Sequence, residues 1–162
     1  MGIKSYQGNQ IGVLPLQAEN ITVADYMSRD MIVFRKEQSI IEVMAALVKH
    51  RVSGAPVVNE KMELIGIISE GDCIKQISES RYYNMPMDNM DVENYMVKEV
   101  ETISPDMNLF DAANKFLTLR KRRFPVCENL PDGKAGGKLL GIISQKDILK
   151  AALELSGTKW KK

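Results

Sequence analysis

Two polar pairs are the residues best placed to do chemistry. Ser69 and Asp72 lie in GIISEGD (residues 66–72), and Ser144 and Asp147 lie in GIISQKD (residues 141–147). In each, an apolar run that reads as a buried strand ends at the serine, and a helix follows with the aspartate three residues on. A hydroxyl and a carboxylate at i and i+3 share one side of a helix's first turn, beside main-chain N–H groups that have no partner within the helix. Such a corner can hold a polyol and a phosphate together. The same two residue types are also ordinary helix starters, serine as N-cap and aspartate in the first turn. One copy alone favours the cap. Two copies in matching contexts give weight to a ligand site.

The elements that position these pairs come in two sets. Ser39 predicts the cap of a helix whose apolar positions Ile40, Val43, Met44, Leu47 and Val48 recur at spacings of three and four. Thr22 precedes a short helix VADYM, and a strand is expected near Met31 to Phe34. Ala55 to Val58 and Leu64 to Ser69 read as a hairpin closed by a polar turn, and Glu70 to Ser78 as the closing helix. After a Pro- and Met-containing linker the order returns: a short helix at VENYM, a strand at Val100 to Ile103, a helix from Asn108 to Arg120, strands at Phe124 to Cys127 and Leu139 to Ser144, and a helix from Gln145 to about Leu155. One offset, 69, joins Met27 to Met96, Arg51 to Arg120 and Pro56 to Pro125, and after the second hairpin's tip it becomes 75, joining Gly66 to Gly141 and Asp72 to Asp147. The difference falls in Glu128 to Lys138, whose PDGKAGG composition is that of an enlarged hairpin tip. This is an internal duplication. A single copy of about 55 residues is marginal by itself, so the two are expected to pack about a pseudo-twofold axis. The divisions are an N-terminal arm over 1–21, a first copy over 22–78, a linker over 79–91, a second copy over 92–155 and a tail over 156–162.

Composition narrows the function classes. The chain has 162 residues, 44% of them hydrophobic and 27% charged, with a net charge of +1. That is ordinary globular composition, with no general pull toward nucleic acid or membrane. The apolar runs are far shorter than the ~20 residues of a bilayer span, and no continuous apolar signal segment opens the sequence. A cytoplasmic location is expected. Met1-Gly2 lacks the Ser or Thr at position six that myristoylation wants, since Tyr6 stands there. Cys73 and Cys127 have no CxxC spacing and read as buried small hydrophobes. His50 is the sole histidine, so neither a His-rich metal site nor a Ser-His-Asp triad can be assembled.

Taken together, HRVSGAPVV (residues 50–58), the R-x-x-x-x-P-V spacing of both copies and the doubled G-h-h-S-x-x-D resemble the tandem cystathionine-β-synthase (CBS) domain pair, or Bateman module, over roughly Val23 to Leu155. The resemblance implies an α+β fold of two β-α-β-β-α repeats, two clefts, and regulatory binding of adenine nucleotides or related adenosyl ligands without catalysis or a required cofactor. It implies composite clefts. Cleft one would take Val52, Ser53, Gly54 and Ala55 from the first copy with Ile142, Ser144, Lys146 and Asp147 from the second. Cleft two would combine Ile67, Ser69 and Asp72 with Lys121, Arg122, Arg123 and Phe124. Gly54 and Ala55 would leave room for a flat base, Asp147 would accept from ribose hydroxyls, and Ser144, Lys146 and the helix N-terminus would meet phosphate. Arg122 and Arg123 stand where the first copy has Ser53 and Gly54, so the two clefts are not expected to bind alike. The long helices imply a homodimer. A structural dimerisation module with empty clefts is the alternative, and a nucleic-acid binder using Arg120 to Arg123 a more distant one.

Overall fold

A computed structural model describes residues 20–84, 90–131 and 135–157. The N-terminal arm up to residue 19, the Met85-Pro86-Met87 stretch of the linker, the centre of the second hairpin's tip and the last five residues of the tail lie outside the described residues.

Each copy builds one helix, one hairpin and a second helix, for local reasons written in its sequence. In the first copy α2 (Ile40–His50) starts where the Ser39 side chain accepts from the Glu42 N–H at 3.2 Å. Ile40, Val43 and Leu47 form its buried stripe, as their spacing predicts. It stops at Arg51, which takes a left-handed conformation with φ of 54°. The hairpin β1 (Gly54–Val58) and β2 (Leu64–Ser69) follows, then α3 (Glu70–Tyr83). The second copy repeats the plan with α4 (Leu109–Leu119) under an Asn108 cap, β3 (Arg123–Asn129), β4 (Ala135–Ser144) and α5 (Gln145–Leu155). Both hairpins are antiparallel and in equivalent register: Gly54 faces Ser69 and Val57 faces Gly66, while Arg123 faces Ser144 and Val126 faces Gly141.

Three expectations about elements are corrected. The strands placed at Met31 to Phe34 and Val100 to Ile103 shrink to single parallel bridges, Phe34 beside Val57 and Ile103 beside Val126. Neither ladder continues: the Arg35 N–H turns to the Gln38 side chain at 2.7 Å, and Pro105 has no N–H to offer. The closing helix of the first copy runs beyond Ser78 to Tyr83. Its last turns are held by buried polar residues rather than an apolar stripe: Gln76 and Ser80 are 1% and 6% exposed, and the Gln76 amide donates to the Ser80 hydroxyl at 2.7 Å and contacts the Met90 thioether. The second hairpin is longer than expected, because β3 and β4 extend to Asn129 and Ala135.

The leading segment of each copy packs on the other. In α1 (Val23–Tyr26) the Val23 N–H donates to Met107 and the Ala24 N–H to Pro105, at 2.9 and 3.0 Å, and Ser28 pairs with Ile142 through two bonds of 2.9 Å. Val23 and Met27 therefore complete the core of the second copy with Leu109, Phe116, Phe124 and Ile143. Symmetrically, the 3-10 turn Val92–Asn94 donates to Gln38 and Lys36, and Val97 pairs with Ile67. Met90, Val92, Tyr95 and Met96 lie with Phe34, Ile40 and Leu47 of the first copy. A smaller apolar cluster of Val58, Cys127 and Leu139 joins the hairpins, where the Leu139 N–H donates to Met62 at 2.8 Å. Burial pushes the Cys127 thiol up to about 11, and burial, then Asp72 and Glu70, raise that of Cys73. Both thiols are inert residues of the interior.

This exchange explains the glycine that opens each GIIS. A Cβ on Gly141 would stand 2.6 Å from the Ser28 carbonyl oxygen and 3.0 Å from the Met27 sulfur, where the residues that follow α1 cross the strand. Gly66 meets Met96 and Val97 in the same way, at 2.6 and 2.9 Å. Gly141→Ala is expected to destabilise the fold by about 1–3 kcal/mol, since a main-chain oxygen cannot step aside as a side chain can. Gly66→Ala is expected to cost less, because its nearest obstacle is the flexible Met96 thioether and its main-chain obstacle, the Val97 carbonyl oxygen, stands farther off at 2.9 Å. Urea unfolding of the two variants checks the order, and an unperturbed Gly141→Ala variant would mean that Met27 and Ser28 do not cross there.

Candidate functional site

The exchange and the hairpin register place both serines at the end of a strand and the start of a helix. Ser144 is the N-cap of α5: its Oγ accepts from the Asp147 N–H at 3.4 Å, while Asp147 Oδ2 accepts from the Ser144 N–H at 2.8 Å and from its hydroxyl at 2.9 Å. Ser69 and Asp72 repeat this box on α3, with 3.4, 2.8 and 3.0 Å. The helix-starting role is therefore real at both sites. It does not use up the aspartates, because Oδ1 of each has no hydrogen-bond partner among the described residues. Capping also fixes the first-turn N–H groups, on which an anion can sit.

A cleft of about 760 Å³ opens between the copies, within the range that takes a nucleotide-sized ligand. On one wall lie Val52, Ser53, Gly54 and Ala55 of the first copy. Opposite are Ile142, Ser144, Lys146 and Asp147 of the second. The structure brings together all eight residues expected for cleft one. Five of the seven expected for cleft two, Ile67, Ser69, Lys121, Arg122 and Arg123, line the same continuous space. The other two do not. Phe124 is 1% exposed and packs its ring edge-on against Phe116, with centroids 4.8 Å apart, so it belongs to the core. Asp72 is half-buried in its capping box and is absent from the wall.

Sequence reasoning missed the leading segment. Ser28, Asp30, Met31 and Ile32 line the cleft because the pairing of Ser28 with Ile142 draws them across it. Gln145 lines it too, and its N–H donates to the Arg122 carbonyl at 3.3 Å and its side chain to that of Lys121 at 3.2 Å. The one signal for the leading segment was the glycine of each GIIS, which marks a backbone crossing the strand. Gly54 also reads differently in place. A Cβ there would lie 3.0 Å from the Ile68 carbonyl oxygen, so its missing side chain serves strand pairing as well as the cleft.

Charge is distributed unevenly. Lys121, Arg122, Arg123 and Lys146 face two carboxylates along the wall, Asp30 and Asp147. None of the four cations forms an ion pair among the described residues. Unpaired cations beside a helix N-terminus favour an anionic ligand. No cluster among the described residues has the composition of a metal site, and no helix there is long and apolar enough to cross a membrane.

Comparison with known proteins gives this geometry a context. The CBS domain model matches residues 23–79 and 92–154. Protein MJ1426 of Methanocaldococcus jannaschii is 26% identical over 168 residues, spanning 86% of this chain and 96% of that one. Among solved structures, CBSX2 of Arabidopsis thaliana in complex with AMP superposes with a TM-score of 0.69 at 28% identity, covering 83% of this chain and 97% of that chain. The CBS domain pair of protein MJ0100, in complex with 5-methylthioadenosine and S-adenosyl-L-methionine, gives 0.61 at 25% identity, with 81% and 98% covered.

Proposed function

This chain belongs to the CBS domain family, and from that premise we propose that it is a regulatory module that binds an adenine nucleotide, AMP, ADP or ATP, or a related adenosyl ligand, between its two copies. One observation carries the reading. The exchanged leading segments bring Ser53 to Ala55 of one copy against Ser144 to Asp147 of the other across a single cleft. Small residues and exposed main chain on one wall suit a flat base, and a carboxylate with Oδ1 unused suits vicinal ribose hydroxyls. The N-terminus of α5 and Lys146 suit phosphate. Relatives of similar fold that hold AMP, 5-methylthioadenosine and S-adenosylmethionine support the adenosyl class.

The role is regulatory rather than catalytic. The hydroxyls of Ser69 and Ser144 each donate a hydrogen bond to the aspartate of their own cap, and among the described residues no second base bonds to either. Binding therefore acts by stabilising one packing of the two copies over another, and only a ligand with unequal affinity for the two shifts anything. Output passes to a second copy or to an effector in the cytoplasm. The surface that supports a homodimer is apolar and repeats with the duplication: Val48 on α2 and Leu117 on α4 are 79% and 77% exposed, Ile74 on α3 and Leu149 on α5 64% and 62%. Calorimetric titration of the full chain with AMP, ADP, ATP and S-adenosylmethionine tests the reading. Saturable heat with at least one is expected. Silence with all four, in a chain that still dimerises, would leave dimerisation, with the clefts empty, as its activity.

A further inference from the structure

We infer that each chain holds one nucleotide rather than two, and that it prefers a polyphosphate tail, because the second half of the cleft is built as the phosphate end of the first. This rests on the adenine-nucleotide reading above and specifies its ligand.

The two halves differ at each position that would make a base recess. Ile32 lines the first half, and its counterpart at the offset of 69 is Glu101. Gly54 corresponds to Arg123, and Ala55 to Phe124, which is withdrawn into the core at 1% exposure. A flat apolar base thus has a seat in the first half, whereas in the second a guanidinium stands at the place of Gly54 and the counterparts of Ile32 and Ala55 are both absent from the wall. The helix starts differ as well. Where α5 begins Gln145-Lys146-Asp147, α3 begins Glu70-Gly71-Asp72, so a phosphate at α3 would meet a second carboxylate in place of the glutamine and a glycine in place of the lysine.

All four cations of the cleft belong to the second copy, and their main chain lies at the start of α5. Arg123 faces Ser144 in the ladder, the Arg122 carbonyl accepts from the Gln145 N–H, and the Lys121 carbonyl accepts from the Gln145 side chain. Lys146 is the next residue. The strand entry β3 and the helix start are thereby tied into one basic strip beside Asp147, continuous with the space of the first half. A nucleoside with its ribose at Asp147 would have its first phosphate at the start of α5. Further phosphates would run along Lys121 to Arg123, where multiple charge-assisted hydrogen bonds are available. The side chains concerned are exposed, so the preference is expected to be screened by salt.

The test is calorimetric titration of the full chain with ATP, ADP, AMP and adenosine, with chelator present, at low and high salt. One site per chain is expected, with ATP about tenfold or more tighter than AMP at low salt and the gap narrowing at high salt. The double variant Arg122→Ser with Arg123→Gly installs the first copy's residues. It is expected to lower ATP affinity about tenfold while changing AMP by less than about threefold, with an unchanged melting temperature as the control for folding. Two nucleotides per chain, equal affinities for ATP and AMP, or a double variant that weakens both alike would overturn this inference and leave the adenine-nucleotide reading standing. Absence of binding by all four ligands would overturn this inference, and silence with S-adenosylmethionine as well would overturn the reading it rests on.

Discussion

Phe124→Ala is expected to lower the unfolding free energy by about 3–5 kcal/mol, the usual consequence of deleting a ring from a packed core. The resemblance in sequence put this residue in a ligand cleft, but its surroundings are those of a structural anchor. It is 1% exposed, meets Phe116 at 4.8 Å between centroids and 61° between planes, and shares its cluster with Val23 and Met27 from the other copy's leading segment. Truncation therefore leaves a cavity at the point where α1 docks, and both the second core and the exchange should weaken together. For a chain of this size the melting temperature should fall by on the order of 10 °C. Phe124→Leu, which keeps most of the volume, should lose far less stability and bind nucleotide normally. Loss of nucleotide binding in both variants with stability intact would return Phe124 to the cleft.

The second large effect concerns the ligand. Asp147→Ala is expected to reduce nucleotide affinity roughly ten- to hundredfold, which corresponds to the about 1.5–3 kcal/mol of a hydrogen bond to a charged group. The substitution also removes a helix cap, which by itself costs about 1 kcal/mol of stability. Asp72→Ala separates the two contributions, because Asp72 closes the same capping box on α3, with its Oδ2 2.8 and 3.0 Å from Ser69 against 2.8 and 2.9 Å at Ser144. Both variants should lose similar stability. Only Asp147→Ala should lose the nucleotide, since Asp147 lines the cleft and Asp72 does not. Equal affinity losses would mean that both halves take a nucleoside, and no loss in either would mean that the carboxylates serve the caps alone.

The duplication was readable to the residue. The offsets that join Arg51 to Arg120 and Gly66 to Gly141 reappear as two left-handed C-caps and two matching hairpin registers. Those features are local, set by apolar period, caps and strand pairing, and local features are what a linear pattern records. The partner of each leading segment is not local. Val23 lies close in sequence to the first copy's hairpin yet hydrogen-bonds to Met107, and a repeat that is equivalent in both copies fits self-packing and exchange equally well. For the same reason Ser28 to Ile32 escaped notice as cleft residues. Phe124 was misplaced by position alone: its counterpart Ala55 lines the cleft, but a ring at that site finds a larger apolar volume inward against Phe116. Helix α3 was cut short because its final turns bury Gln76 and Ser80, which carry no apolar period.

The central claim is that a nucleotide binds across the two copies, and the structure of the chain crystallised with ATP tests it most directly. The account predicts one nucleotide per chain, with its base against Gly54 and Ala55, its ribose hydroxyls on Asp147 and its phosphates along Lys146 and Lys121 to Arg123. A nucleoside seated against Ile67 and Asp72, or a cleft left empty at saturating ATP, would contradict it.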